Sequence, residues 1–218
     1  SFTFDDFPRS AALSGAKILE DHGWRGTYYA SAGYAGTQSH HGAMFEAGDL
    51  QRLDAAGHEI GCHTHSHLDG SQISAGEMLA DIDRNRKALR ELGFEGELES
   101  FAYPYGEATP AAKRLLATRF SSMRGVHAAI NRGTSDRSLL KSIPVDGGEA
   151  GIARAVDAAE TLVEHPGWLI FYLHDVQDVP TKWGCTPAQL EQVCAAVERS
   201  GARVLTIAAA MAEIGESK

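Results

Sequence analysis

The run Trp168-Leu169-Ile170-Phe171-Tyr172-Leu173 is the feature that most constrains how this chain can fold. Six consecutive apolar or aromatic residues predict a strand that is covered on both faces, as strands in parallel sheets usually are. Shorter strand candidates lie at 1–4, 26–31, 58–62, 101–103 and 202–206, with further short pieces between 120 and 145. Most of the chain outside these segments is therefore expected to be helix or loop.

Helices with clear start and stop signals separate the predicted strands. Ser74 and Glu77 form a capping box at the start of a helix that Gly93 ends, and Thr109-Pro110 and Thr186-Pro187 start two others. Further helices are predicted between Pro8 and Gly23, over 48–56 and 149–164, and at the C-terminal end. Strands alternating with helices predict an α/β protein with a mostly parallel sheet. A barrel and an open doubly wound sheet both satisfy this pattern, and both place ligands at the carboxyl ends of strands.

Length and composition indicate one globular domain over residues 1–218. The net charge of −9 argues against nucleic acid or an anionic membrane surface as a partner. No run approaches the roughly 18 apolar residues of a membrane span, and no glycine-rich nucleotide-binding motif is present. Three cysteines do not make a disulfide framework. Because no secretory leader is visible, the sequence as it stands predicts a cytoplasmic protein, or a periplasmic or extracellular one if a leader has been removed.

Polar side chains that can bind a metal follow two of the predicted strands. His63 and His67 are four residues apart, so a tight turn places both imidazoles on one side of the chain. A catalytic metal site needs three protein ligands, and Asp5-Asp6 can supply the third. One aspartate would ligate and the other would act as a base, although the residues alone do not decide which. The competing interpretation is a helix N-cap pair, and His65 is expected to face away in a structural role.

Other candidate residues lie near the same strand ends. His174 follows the long apolar strand and is expected to be a general acid, with Asp175 as a turn residue or as a group that orients the imidazole. His40 and His41 fall in a polar, glycine-rich loop and are predicted to be solvent-exposed. Cys62 is predicted to be a buried small residue rather than a thiolate ligand.

Four segments together resemble the NodB-type polysaccharide deacetylases, which form carbohydrate esterase family four (CE4). They are Thr3-Phe4-Asp5-Asp6, His63-Thr64-His65-Ser66-His67, Phe101-Ala102-Tyr103-Pro104-Tyr105-Gly106 and Leu173-His174. Their order and spacing extend the resemblance over nearly the whole chain. The resemblance implies a distorted (β/α)7 barrel.

The resemblance also implies roles for individual residues. Asp6, His63 and His67 would hold a metal, usually zinc, with cobalt or another divalent transition metal as alternatives. Asp5 would be the general base, the backbone N–H of Tyr105 would bind the oxyanion, and His174 would be the general acid. The implied reaction is removal of N-acetyl groups from amino sugars of a polysaccharide or glycan precursor by metal-activated water. The alternatives are an esterase that removes O-acetyl groups from a polysaccharide such as xylan, and a non-catalytic glycan-binding domain on the same fold.

Two departures from the family pattern concern residues around the site. The third motif often carries an arginine where this chain has Ala102, and Arg124 is a candidate for taking over its contact with the catalytic aspartate. The aspartate-tryptophan fourth motif is not recognisable, and Asp146 is a candidate for the carboxylate that polarises His174.

Three residues are expected on the substrate side of the site. Tyr103 lies within the third motif, Arg124 lies near the next predicted strand, and Trp183 follows His174 on a loop. Trp183 would either stack on a sugar ring or serve as a buried anchor.

Overall fold

The computed structural model describes residues 1–216 and contains a curved sheet of seven parallel strands. In chain order the strands are β1 (Phe2–Phe4), β2 (Thr27–Ala30), the small hairpin β3 (Gln38–Ser39) and β4 (Gly42–Ala43), β5 (Glu59–Cys62), β6 (Ser100–Ala102), β7 (Ser122–Arg124), β8 (Ile143–Pro144) and β9 (Phe171–Leu173). The hairpin forms a separate antiparallel pair, and the main sheet has the order β7-β6-β5-β2-β1-β9-β8. Strand β1, which carries the two aspartates, therefore lies in the interior of the sheet.

The two edges of the sheet are joined by the segment that leads into β8. Leu140 donates its N–H to the carbonyl of Met123 (2.8 Å), and Gly125 donates to the carbonyl of Leu140 (3.0 Å). The same segment then continues into β8, which pairs with β9. The sheet thus curls into a distorted (β/α)7 barrel, as the resemblance to NodB-type deacetylases implies, which confirms the barrel over the open doubly wound sheet.

Within residues 1–216, seven α-helices pack around these strands. They are α1 (Ala16–Asp21), α2 (Ala47–Ala55), α3 (Ala75–Glu91), α4 (Pro110–Leu116), α5 (Gly148–Glu160), α6 (Pro187–Ser200) and α7 (Ile207–Glu216). The predicted caps are present: Ser74 caps α3, Thr109 caps α4 and Thr186 caps α6, each by accepting a backbone N–H in the first turn. Helix α1 continues from a π-helical turn at Ala11–Gly15. Among the helices of residues 1–216, none combines the length and apolar character needed to cross a bilayer.

The predicted strand at 202–206 is not formed. Strand β1 already pairs with β2 on one side and with β9 on the other, so the centre of the sheet has no free edge for this segment. The segment leads directly into α7, where Thr27 Oγ1 accepts the N–H of Ile207 and Glu59 Oε2 accepts that of Ala208. Side chains from two strands therefore cap this helix, and its first backbone N–H groups are hydrogen-bonded without strand pairing.

Aromatic packing in the core fixes the position of β1. Phe4 and Tyr28 are partners in the β1–β2 register, and their rings stack with centroids 4.6 Å apart. Both side chains are completely buried. Burial of a side chain such as that of Phe4 stabilises the fold by about 1.5–3 kcal/mol. Because Phe4 is the last residue of β1, this packing sets where Asp5 and Asp6 leave the sheet.

Candidate active site

The predicted site residues meet at the carboxyl ends of the barrel strands. Asp5 follows β1, His63 follows β5, Tyr103 follows β6 and His174 follows β9. In barrels of parallel strands this rim is where catalytic groups are assembled. The residues surround a cavity of about 290 Å³, whose lining consists of Asp5, Asp6, Tyr34, His40, His41, His63, His67, Tyr103, Tyr105, Val126, Tyr172, His174 and Trp183.

One carboxylate oxygen faces two imidazoles at distances that suit metal binding. Asp6 Oδ1 lies 3.4 Å from His63 Nε2 and 3.1 Å from His67 Nε2. Zinc bonds of about 2.1 Å in a tetrahedral site place two ligands roughly 3.4 Å apart. Asp6 Oδ1 is buried and has no hydrogen-bond partner among the described residues, which would cost free energy unless a cation is bound there. These three side chains therefore fit a divalent metal site.

The protonation states of the cluster also suit a metal. Burial raises the pKa of Asp6, but the neighbouring imidazoles of His41, His63 and His67 outweigh it and hold this pKa well below the usual value. Burial and the neighbouring His63 lower the pKa of His67 to about 4. His63 Nδ1 lies 2.8 Å from the carbonyl of Ala102, which can only accept, so this nitrogen carries the proton and Nε2 keeps its lone pair. Metal ligands must be unprotonated, as a carboxylate and neutral imidazoles are.

Backbone strain is concentrated at the site. Among residues 1–216, the non-glycine residues with positive φ are Asp6, Phe7, Thr64, His67 and Tyr105, with φ between 51° and 61°. Each such residue costs of order 1–3 kcal/mol, so the surrounding structure must compensate. All five lie in the turns that follow β1, β5 and β6. The strained turns therefore aim the aspartates, the second histidine and Tyr105 at the cavity.

Asp5 is held by an arginine from the far side of the sheet. Arg124 Nη2 donates to Asp5 Oδ1, and Nη1 donates to the carbonyl of Gly125 (3.0 Å). The guanidinium lies 5.2 Å from the ring centre of Tyr29 and 5.3 Å from that of Tyr172. Arg124 thus makes the contact with Asp5 that was expected of the arginine missing at position 102. Its other predicted role, at the substrate, is wrong, because its side chain is only 1% exposed and is not part of the cavity lining.

Two other residues expected near the substrate do line the cavity. Tyr103 is almost fully buried, and its hydroxyl donates to the carbonyl of Ser138 (3.3 Å), so it contributes a wall of the cavity but directs its hydroxyl elsewhere. Trp183 is 42% exposed, which fits a ring that is available for stacking and not a buried anchor. Cys62 is fully buried, and burial raises the pKa of its thiol to about 11, so a thiolate ligand is not available.

His174 is oriented by a backbone carbonyl and not by either predicted carboxylate. Its Nδ1 lies 3.2 Å from the carbonyl oxygen of Trp183, so Nδ1 carries the proton and Nε2 is the nitrogen that can exchange one. Asp146 makes no hydrogen bond to His174 within the described residues, and Asp175 binds His41 instead, so the prediction that either carboxylate orients His174 is wrong. The alternative prediction for Asp175 fits the structure, because its Oδ2 accepts the backbone N–H of Thr181 (2.8 Å) in the turn that follows. Burial lowers the pKa of His174.

His41 is the site residue that sequence reasoning missed. Its predicted solvent exposure is wrong: the residue is 2% exposed, whereas His40 beside it is exposed as predicted. His41 Nδ1 lies 3.0 Å from Asp175 Oδ1, and Nε2 lies 3.4 Å from Asp6 Oδ2. The hairpin β3–β4 carries His41 inward, and a polar loop sequence contains no periodicity from which this could be read.

The chain is thus an α/β barrel with an Asp-His-His cluster at the carboxyl ends of its strands, and comparison with known proteins gives the family. The model of the family described as polysaccharide deacetylase matches residues 1–119, which is more than half of the chain. The chain therefore belongs to the polysaccharide deacetylase family. The matched part contains Asp5, Asp6, His63 and His67, whereas His174 lies beyond it.

Solved structures share the fold at low sequence identity. The chitin deacetylase of Colletotrichum lindemuthianum is 15% identical with a TM-score of 0.69, over 95% of this chain and 84% of that one. The Xyl-CE4 domain of a multidomain xylanase from the hindgut metagenome of Trinervitermes trinervoides is 19% identical with a TM-score of 0.64, over 99% and 90%. A mutant of a CE4 family pseudoenzyme is 13% identical with a TM-score of 0.66, over 97% and 66%. Since a pseudoenzyme shares the fold, chemistry must be argued from the residues.

Proposed function

We propose that this protein is a metal-dependent deacetylase that removes N-acetyl groups from amino sugars of a polysaccharide or a glycan precursor. The observation that carries the proposal is the buried, unpartnered Asp6 Oδ1 beside the Nε2 atoms of His63 and His67. Asp5 adjoins this cluster in the same cavity, so a base stands next to the metal ligands. Membership of a deacetylase family supports hydrolysis of an acetyl group as the reaction.

Asp6, His63 and His67 would hold the divalent metal, with zinc favoured by the mixture of nitrogen and carboxylate ligands. When bound, such a metal would polarise the acetyl carbonyl and lower the pKa of its bound water towards about 7.

Asp5 is suited to accept the proton of the attacking water. Arg124 occupies its Oδ1, and the other carboxylate oxygen is left for proton transfer. The backbone N–H of Asp5 donates to the carbonyl of Leu173 (2.8 Å), which ties this residue to the neighbouring strand. A base held at both backbone and side chain loses little entropy when it reacts.

His174 would protonate the leaving amine, and Tyr105 would stabilise the oxyanion. An amine is a poor leaving group unless it is protonated, and His174 Nε2 is the free ring nitrogen from which a proton can be delivered. The backbone N–H of Tyr105 would donate to the oxyanion, an interaction worth roughly 3 kcal/mol when one donor is removed. The left-handed conformation of Tyr105 (φ 59°) supports a specialised backbone position there.

The walls of the cavity support a sugar as the substrate. Tyr34, Tyr105 and Trp183 bring aromatic rings to the cavity, and Trp183 is exposed beside His174. Aromatic faces offer apolar contact area with little conformational entropy to lose. The O-acetyl alternative keeps the same site, and an alkoxide leaves more easily than an amine, so such an esterase would depend less on His174.

The test is acetate release from N-acetylglucosamine oligomers and from acetylated xylan, with zinc or cobalt supplied, together with metal analysis of each variant. Asp5→Asn is expected to retain the metal and lose turnover, whereas His63→Ala is expected to lose both. Near-normal turnover of Asp5→Asn would refute Asp5 as the base. Release from xylan alone would establish the esterase, and a zinc-loaded protein that binds sugar without releasing acetate would establish the non-catalytic domain.

A further inference from the structure

His41 and Asp175 form a buried pair beside the proposed metal site, where His41 faces Asp6 Oδ2 and not the Oδ1 atom that faces His63 and His67. The side chain of His41 is 1% exposed and that of Asp175 is fully buried. Asp175 Oδ1 lies 3.0 Å from His41 Nδ1, and Asp6 Oδ2 lies 3.4 Å from His41 Nε2. Each ring nitrogen therefore faces a carboxylate oxygen, an arrangement that is satisfied when both nitrogens carry protons. The two oxygens of Asp6 consequently have different surroundings.

Asp175 is itself rigidly held. Its Oδ2 accepts the backbone N–H of Thr181 (2.8 Å) and an N–H of Gln177 (2.9 Å), and its Oδ1 accepts the hydroxyl of Thr181 (2.6 Å). A carboxylate with this many donors has little freedom to rotate. The position of the His41 ring is therefore set by the loop that follows β9, although the residue itself belongs to the hairpin β3–β4.

The spacing alone would also allow a second metal ion between Asp6, His41 and His174, whose ligand atoms lie within 4.8 Å of one another. The ring orientations argue against it. The rings of His41 and His174 are stacked, with centroids 4.8 Å apart and planes inclined by 9°. An imidazole holds its metal in the plane of the ring, along the nitrogen lone pair, so two parallel stacked rings do not point at one ion. Proton donation by His41 is the role that this geometry supports.

We propose that His41 is a positioning residue for Asp6: backed by Asp175, it donates to Asp6 Oδ2 and so restricts metal binding to Oδ1. The inference rests on the proposed metal site. Without the donor, the carboxylate is free to turn and to approach the metal with both oxygens, which changes the coordination number. Hydrogen-bond partners of ligating groups typically alter metal affinity about 10–100-fold when they are removed.

Two substitutions separate this role from a purely structural one. The amide nitrogen of a glutamine reaches the place of Nε2, whereas an asparagine reaches only the place of Nδ1. His41→Gln therefore retains a donor for Asp6, and His41→Asn retains only the contact with Asp175. If His41 serves Asp6, His41→Gln will resemble the unchanged protein and His41→Asn will not. If His41 serves only to satisfy Asp175, the order is reversed.

The experiment is titration of each metal-free protein with Co²⁺ and Zn²⁺, following the visible spectrum of bound Co²⁺ and determining the Zn²⁺ dissociation constant against a chromophoric chelator. We expect His41→Asn to bind zinc about 10–100-fold more weakly and to show an altered Co²⁺ spectrum, because coordination by Asp6 changes. His41→Gln and the control His165→Gln, an exposed residue ahead of β9, are expected to keep the original spectrum. Thermal unfolding of each variant checks that it is folded.

The outcomes distinguish the two proposals. Failure of the unchanged protein to bind either metal would refute the proposed function itself. Metal binding that is the same in His41→Asn and in the unchanged protein would refute only the role of His41. Two metal ions per chain, with one lost in His41→Asn, would make His41 a ligand and overturn the inference. Should His41→Asn not fold, a Co²⁺ spectrum altered in His41→Gln would equally contradict it.

Discussion

Removing the guanidinium of Arg124 should destabilise the fold and impair the proposed base at the same time. Arg124 and Asp5 are 1% and 6% exposed at their side chains, so neither charge can turn to water when its partner is lost. Loss of one partner of a buried ion pair costs about 3–5 kcal/mol. Arg124→Met is the substitution of choice, since methionine keeps most of the apolar stem and adds little cavity cost.

The stability measurement is urea unfolding followed by circular dichroism. For a protein of this size each kcal/mol lowers the melting temperature by about 2–4 °C, so a decrease of about 6–20 °C is expected in a thermal scan. The same substitution in an Asp5→Asn background should cost less, because no buried carboxylate is then left without its cation. Arg137→Met, at an exposed arginine, should change the free energy of unfolding by no more than about 0.5 kcal/mol.

Activity gives the second measurement. A displacement of the base by about 1 Å costs on the order of 100-fold in rate, and the loss should appear in kcat more than in KM because Arg124 does not reach the cavity. Arg124→Lys should not restore activity fully, since an ammonium cannot reproduce the two-directional contact with Asp5 and the Gly125 carbonyl. If Arg124→Met has a free energy of unfolding within 1 kcal/mol of that of the unchanged protein and normal turnover, the reasoning is refuted.

Two further predictions concern packing and pH. A Cβ on Gly184 would come within 2.5 Å of Asp175 Oδ1, so Gly184→Ala should destabilise the protein by about 1–3 kcal/mol in urea unfolding. The control Gly48→Ala, at a glycine with open space around it, should not be destabilised. Equal effects of the two substitutions would contradict this prediction. Burial lowers the pKa of His22, but contacts of 2.7 and 2.9 Å with two glutamates of α6 outweigh it and raise the pKa above the unfolded value of about 6.5. The stabilisation is therefore complete below about pH 6.5 and is lost as pH rises through the raised pKa, so the cost of His22→Gln should shrink on going from pH 6 to about pH 9. A cost that grows with pH would reverse the assignment.

Local signals explain which parts of the fold the sequence could predict. Ser74, Thr109 and Thr186 cap helices through contacts within their own first turn, so neighbouring residues suffice to recognise them. The segment 202–206 has strand-forming residues, but whether they pair depends on a free sheet edge, which local sequence does not encode. Propensity was therefore overridden by topology.

The candidate site divides in the same way. Asp5, Asp6, His63 and His67 were recognisable because each pair is close in sequence and follows a strand, and parallel strands bring their carboxyl ends together. Asp175 makes the turn contacts that were one of its two predicted roles, but the imidazole that it orients is that of His41 and not that of His174. Adjacent residues at a strand end point in opposite directions, so Asp175 turns away from the His174 ring and reaches His41, 134 positions earlier in the chain.

The departure at Ala102 shows how one contact can be kept while its residue moves. The family resemblance expects an arginine at this position, yet in the β6–β7 register Ala102 is the direct partner of Arg124. Paired residues on neighbouring strands lie about 5 Å apart and project to the same face, a distance that the long arginine side chain easily spans. The guanidinium of Arg124, on the strand next to that of Ala102, therefore reaches the carboxylate of Asp5, and the rings of Tyr29 and Tyr172 flank it. The small side chain of Ala102 leaves room for this crossing. If Asp5 requires the contact and not its position, Ala102→Arg in the Arg124→Met variant should restore acetate release, and no recovery of turnover would contradict this.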